Sequence, residues 1–196
     1  MLAGSTISNG AESSGVAPGS SPAAGLAGGP QSRRTSWLPC SKSAETVDSP
    51  ARDVRFWDSS AVVPLIVGQA ASSQVDRWLS DDPELALWTL TPVELTSGLR
   101  RLVREGLLAE RDANTAEARV DELVEASHLV VNIETVKSQA RRLLRLHSLR
   151  AADAMQLGAA LEWAGGRPTG RTFVTLDAQL GRAAAREGFR VIPGGQ

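Results

Sequence analysis

The sequence has little of what usually marks a chemistry. Among its 196 residues there is one cysteine, Cys40, no tyrosine, and only Lys42 and Lys137 as lysines. A lone cysteine excludes an intrachain disulfide and a thiolate metal site. The two histidines, His128 and His147, have no zinc-ligand spacing around them, so both are expected to be structural. No Gly-x-x-x-x-Gly-Lys loop occurs and no Gly-x-Gly-x-x-Gly follows a strand, which leaves ATP and dinucleotides unsupported as cofactors. The longest apolar run, Ala61 to Val67, is broken by Pro64 and is far too short for a membrane span. Met1 to Gly10 lacks the basic start and apolar core of a secretory signal, so the cytoplasm is the expected compartment. A formal net charge of −1 removes the global basic field of a nonspecific nucleic-acid coat protein. It leaves room for an enzyme that touches a few phosphates locally.

What is present is enough apolar residue, 42%, for one compact domain. Residues 1–50 are dominated by Ser, Gly, Ala and Pro without helical or strand period, and are expected to be a disordered low-complexity tail. Residues 51–196 are expected to fold. Strand patterns fall at Val54–Trp57, Leu85–Thr89, His128–Val131, Arg171–Leu176 and Phe189–Ile192. Helical patterns fall at Ser59–Val67, Ala70–Leu79, Thr91–Glu105, Ala109–Glu125, Glu134–His147, in a helix around Asp153 ending at Trp163, and from Asp177 to Glu187. Strands alternating with helices indicate an α/β sandwich with a mainly parallel central sheet. Ligands in such folds bind beyond the carboxyl ends of the strands.

The stretch Arg150 to Leu161 is an alanine-rich apolar helix with Asp153 near its start and no basic residue beside it. A carboxylate in such a helix needs hydrogen bonds, a partner or a metal. Three other acids occupy related positions. Asp58 and Asp177 each stand between a strand and a helix, and Glu94 opens a helix. Each has a local explanation. Asp58 and Asp177 suit helix N-caps, and Thr91-x-x-Glu94 with Pro92 reads as a capping box. Asp153 suits the opening turn of a helix, with Ser148 as a possible cap. Jointly, their placement lets all four converge on one sheet edge, where their charges would repel unless a cation compensates them. Oxygen ligands without supporting His or Cys suit Mg²⁺ or Mn²⁺, and such ions serve phosphate-ester chemistry.

Phe56-Trp-Asp58-Ser-Ser-Ala-Val-Val-Pro-Leu65, Thr91-Pro-Val-Glu94-Leu-Thr-Ser-Gly-Leu-Arg100, Leu149-Arg-Ala-Ala-Asp153-Ala-Met-Gln-Leu157 and Phe173-Val-Thr-Leu-Asp177-Ala-Gln-Leu180 resemble, in order and spacing, the four motifs of PIN-domain ribonucleases. They are most similar to the VapC-type toxins of bacterial toxin–antitoxin modules. The resemblance implies a PIN-like, Rossmann-like three-layer α/β fold and a metal-dependent endoribonuclease that is dimeric and restrained by a VapB-like antitoxin. It assigns Asp58 and Asp153 as the principal metal-facing carboxylates. It assigns Glu94 to the metal directly, through water, or to the attacking water, and Asp177 to the fourth acidic position. Ser60 and Thr175 match neighbouring hydroxyl positions that hydrogen-bond the carboxylates or waters. Two departures are the long N-terminal segment and Trp57, where a small aliphatic residue is usual.

Two other functions compete with this one. A haloacid-dehalogenase-like phosphotransfer enzyme wants Asp-x-Asp after its first strand, and Asp58-Ser-Ser60 lacks the second aspartate. A non-catalytic PIN-like binding module would be favoured by the loss of an acid, and all four are present. The arginines Arg100, Arg101 and Arg104, and Arg141, Arg142 and Arg145, read as solvated helix faces that include candidate phosphate or antitoxin contacts. Most of the tryptophans fall at core-facing positions.

Overall fold

The computed structural model describes residues 54–68 and 71–194. The expected tail, residues 1–50, lies outside them. Strand β1 (Arg55–Trp57) runs into helices α1 (Ser59–Ile66) and α2 (Ser72–Asp81), which lead to β2 (Leu85–Trp88). Helices α3 (Thr91–Arg104) and α4 (Glu110–Glu125) carry the chain to β3 (His128–Val130). Helices α5 (Ile133–Leu146) and α6 (Ala151–Trp163) lead to β4 (Thr172–Val174), and α7 (Ala178–Glu187) leads to β5 (Arg190–Ile192). The expected elements are all present, with ends shifted by a few residues. The second helix, expected at Ala70–Leu79, runs from Ser72 to Asp81, and Ala70 lies outside the described residues.

The five strands form one parallel sheet in the order β3-β2-β1-β4-β5. The expected PIN-like three-layer sandwich is thus observed, with a sheet that is wholly parallel. Side-chain alternation along the strands supplies both cores. Phe56, Ala86, Trp88 and Phe173 face one layer, where they meet Val136, Leu143, Leu157 and Leu180 from α5, α6 and α7. Trp57, Leu85, Leu87 and Val174 face the other, against Val62, Val75, Leu95 and Val120 from α1 to α4. A central strand covered on both faces reads as a continuous apolar run, which is why Phe56-Trp57 needs no alternation.

The chain starts at the middle of the sheet, builds outward through β2 and β3, and then returns to place β4 on the other side of β1. This reversal opens a crevice at the carboxyl ends of β1 and β4. Asp58 follows β1 there, and its backbone N–H donates to the Val174 carbonyl at 2.9 Å. Among the described residues no helix is long and apolar enough to cross a membrane.

Helix α6 is buried from Ala154 to Leu161 apart from half-buried Met155, whereas Ala151 and Ala152 are exposed. It lies close against α5. At Gly158 an added Cβ would stand 2.9 Å from the Val136 carbonyl oxygen and 3.3 Å from the Ala140 nitrogen, both backbone atoms that yield only if the helices part. A clasp closes the end of this layer. Glu187 accepts from Arg142 Nη2 at 2.6 Å and lies 2.7 Å from His147 Nε2. Burial, which raises the Glu187 carboxyl, is outweighed by these hydrogen bonds, and the group sits below the ordinary range. On the opposite layer Arg100 joins α3 to α4 through Glu117, Glu110 and Asn114. Gly158→Ala is expected to destabilise the fold by about 1–3 kcal/mol, as overpacking does. Urea unfolding measures it, and unchanged stability would mean that α5 and α6 separate freely.

Candidate active site

Asp58 caps α1 and is 5% exposed, the least solvated of the four predicted acids. Among the described residues, every hydrogen bond its carboxylate receives goes to Oδ2. The donors are Ser60 Oγ at 2.5 Å, the Ser60 backbone N–H at 3.1 Å and Thr175 Oγ1 at 3.0 Å. The two hydroxyls are themselves fixed: Ser60 Oγ accepts from the Leu176 N–H at 2.9 Å, and Thr175 Oγ1 from the Asp177 N–H at 3.0 Å. Ser60 and Thr175 therefore stand where expected, against Asp58. Burial pushes the Asp58 carboxyl from 3.8 up to about 6. The hydrogen bonds from Ser60 and Thr175 offset part of this, and the charge of Glu94 adds to it.

Glu94 departs from the capping-box reading. The residue at the cap of α3 is Leu90, no side chain caps the helix, and Pro92 is the second helical residue after Thr91. The Glu94 carboxylate turns inward instead. Its Oε2 accepts from Ser59 Oγ and from Gln156 Nε2 at 2.7 Å. Thr91 Oγ1 lies 3.2 Å from the same amide nitrogen. A tertiary partner 62 residues away in sequence has outcompeted the local cap.

Asp153 and Asp177 are held by helix amino ends. Asp153 is half-buried, and its Oδ2 accepts from the Arg150 N–H at 3.2 Å. Arg150 rather than Ser148 stands at the cap position, and the Ser148 carbonyl accepts from Gln179. Asp177 is exposed and caps α7, with Oδ1 accepting from the Leu180 N–H at 2.8 Å. The structure brings Asp58 and Glu94 into electrostatic contact. Among the described residues no three His, Cys, Asp or Glu side chains form a ready metal cluster. One regularity links the four acids. Each uses a single carboxylate oxygen for hydrogen bonds, and the other has no donor among the described residues.

Ser59, Thr91 and Gln156, which carry no motif in the sequence that points to this role, form a polar cluster around Glu94. Gln156 was visible as the one polar side chain between Ala154 and Leu161. Of the six arginines singled out, Arg100 and Arg142 are engaged in ion pairs that join helices. Both histidines pair with glutamates, His128 with Glu84 at 3.5 Å and His147 with Glu187, consistent with structural roles.

The PIN domain family model matches residues 55–186. Ribonuclease VapC45 and ribonuclease VapC49, both of Mycobacterium tuberculosis, are each 32% identical to this chain over 139 residues, spanning 70% of it and 94% of the relative. Among solved structures, FitAcB from Neisseria gonorrhoeae superposes with a TM-score of 0.49 at 18% identity, covering 70% of this chain and 96% of that one. The chain belongs to the PIN-domain family. Within that family it is VapC-like.

The raised Asp58 carboxyl fixes the sign of a pH effect. A carboxyl that binds its proton more tightly folded than unfolded stabilises the fold fully below its unfolded value, and that stabilisation is lost as pH rises through about 6. Asp58→Asn has no such loss. In EDTA, the variant is expected to gain on wild type between pH 4 and pH 7.5, by at most roughly 3 kcal/mol at 1.36 kcal/mol per unit. Urea unfolding at both pH values decides it; a pH-independent difference would contradict the assignment.

Proposed function

We propose that this protein is a Mg²⁺- or Mn²⁺-dependent endoribonuclease that cleaves RNA phosphodiester bonds, the toxin of a VapBC-type pair. The observation that carries the reading is the Asp58 carboxyl. It is buried at the crevice of the sheet beside a second carboxylate, with three donors on Oδ2 and none on Oδ1 among the described residues. Such an arrangement costs stability by itself and is repaid by a cation that only the folded chain binds.

The donor set fits a hard divalent ion. Its members are carboxylate oxygens, and each carboxylate is anchored by one oxygen. Asp58 and Asp153 would be the principal ligands. Glu94 would bind directly, through water, or by orienting the attacking water, and Asp177 would complete the set. Bound there, the ion supplies water activation and charge stabilisation at a phosphodiester. The protein's part is to hold the ligands still. Ser60 and Thr175 fix Asp58, while the Arg150 and Leu180 N–H groups fix Asp153 and Asp177.

The names of the two mycobacterial relatives support RNA as the substrate. So does a groove of about 170 Å³ between α7 and residues 147–149, lined by Arg182 and Arg186. These arginines lie one turn apart on the helix that Asp177 caps, and neither has an ion-pair partner among the described residues. Guanidinium groups so placed suit the phosphates of a strand leaving the acidic site. Similarity to VapC proteins supports a VapB-like antitoxin as partner. Exposed Leu90, Val93, Val131 and Ile133, beyond the adjacent ends of β2 and β3, support a homodimer.

The test is cleavage of total RNA by purified protein in Mg²⁺ or Mn²⁺, with EDTA and Asp153→Asn as controls. Metal-dependent cutting is expected in the wild type alone. Asp58→Ala and Asp153→Ala are expected to lower it by at least about 100-fold while the circular dichroism spectrum stays native. A folded Asp153→Ala protein that cuts at the wild-type rate would overturn the assignment.

A further inference from the structure

Gln156 is 1% exposed and lies on α6 three residues after Asp153, so both project from one face of the helix. Its amide nitrogen is 2.6 Å from Ser59 Oγ, 2.7 Å from Glu94 Oε2 and 3.2 Å from Thr91 Oγ1. An amide has two N–H groups, and the two short contacts take them. Ser59, accepting from Gln156, passes its own proton on to Glu94 Oε2. That oxygen therefore receives one bond from the amide directly and a second relayed by Ser59. A carboxylate only accepts, so the amide must turn its nitrogen toward Glu94 and its oxygen away.

This orientation leaves the Gln156 Oε1 buried without a hydrogen-bond partner among the described residues. An aliphatic side chain would carry no such cost, and every other residue between Ala154 and Leu161 is apolar or glycine. A polar group kept buried and half-satisfied calls for a reason beyond packing. Its contacts supply one. Ser59 opens α1, Thr91 and Glu94 open α3, and Asp153 opens α6. A single side chain joins the three helix ends that carry or adjoin Asp58, Glu94 and Asp153.

We infer that Gln156 is the positioning residue of the acidic site: acting through Glu94, it commits Oε2 to the protein and leaves Oε1 for a divalent cation. The inference rests on the metal-dependent reading above. It predicts that Gln156 governs metal affinity without itself touching metal or RNA.

The experiment is a calorimetric titration of Mn²⁺ into the full chain without RNA, comparing wild type with Gln156→Met, which keeps the length and loses the donors. Binding is expected to weaken by about 10-fold or more, the usual effect of removing a group that orients a ligand. Raising Mn²⁺ is expected to recover RNA cleavage, and the melting temperature to hold or rise as the orphaned carbonyl is removed. Wild-type affinity in a folded Gln156→Met protein, with only the melting temperature altered, would make Gln156 a core fastener and overturn this inference alone. A wild-type chain that binds no Mn²⁺ would overturn the metal reading and this inference with it. Should Gln156→Met fail to fold, Ser59→Ala removes the relayed bond at a half-buried position. It is expected to weaken Mn²⁺ binding by about 3-fold or more, and unchanged affinity there would overturn the inference equally.

Discussion

A carboxylate held out of water where two strands part is the constraint on which the rest of this molecule depends. Asp58 loses hydration, stands near a second acid, and is kept in place by donors from two distant parts of the chain. The Ser60 donors are local, but the Thr175 donor exists only because β4 lies beside β1 and brings Thr175 to the mouth of the crevice. The strand order, with its reversal at β1, is therefore a property of the site as much as of the fold.

The two layers make different contributions. The layer of α1 to α4 supplies Asp58 at the head of α1 and Glu94 at the head of α3, fastened at its rim by Arg100. The layer of α5 to α7 supplies Asp153 and Asp177, and its rigidity comes from backbone contact at Gly158 and from the Glu187 clasp. The sheet keeps the two cores apart. Communication between the layers at the site passes through polar contacts beyond the strand ends, chiefly Gln156 to Ser59 and Glu94, and Thr175 to Asp58. Polar networks of this kind tolerate little, because a partly satisfied buried group costs more than an apolar one.

The fold was legible because long-range order here follows local period. Helical stripes, short apolar strands and acids just after strands are all visible along the chain, and the layers follow from alternation. The positions of Asp58, Ser60 and Thr175 were legible for the same reason, since each lies within three residues of a strand end. Glu94 was ambiguous. Thr-x-x-Glu before an apolar helix has one meaning locally, and only a partner from α6 gives it another. Gln156 was harder still. A lone amide in an apolar helix carries no period, and what it touches depends on how α6 docks over α1 and α3. Ser148 failed as a cap because α6 begins two residues later than a cap there requires, at Ala151.

The span of the Thr175–Asp58 contact, 117 residues along the chain, has a bearing on biosynthesis. A ribosome delivers β1 with Asp58 long before it delivers β4, and parallel pairing over such a separation forms slowly. Until residues 172–177 emerge, the Asp58 carboxyl has neither the Thr175 hydroxyl nor the strand that shields it. The Thr175–Asp58 contact is thus absent from the nascent polypeptide until β4 has been made. A chain cut short before β4 would contain Asp58, Glu94 and Asp153 but lack the strand and the hydroxyl that hold Asp58 in place, so the topology orders the steps in which these contacts form.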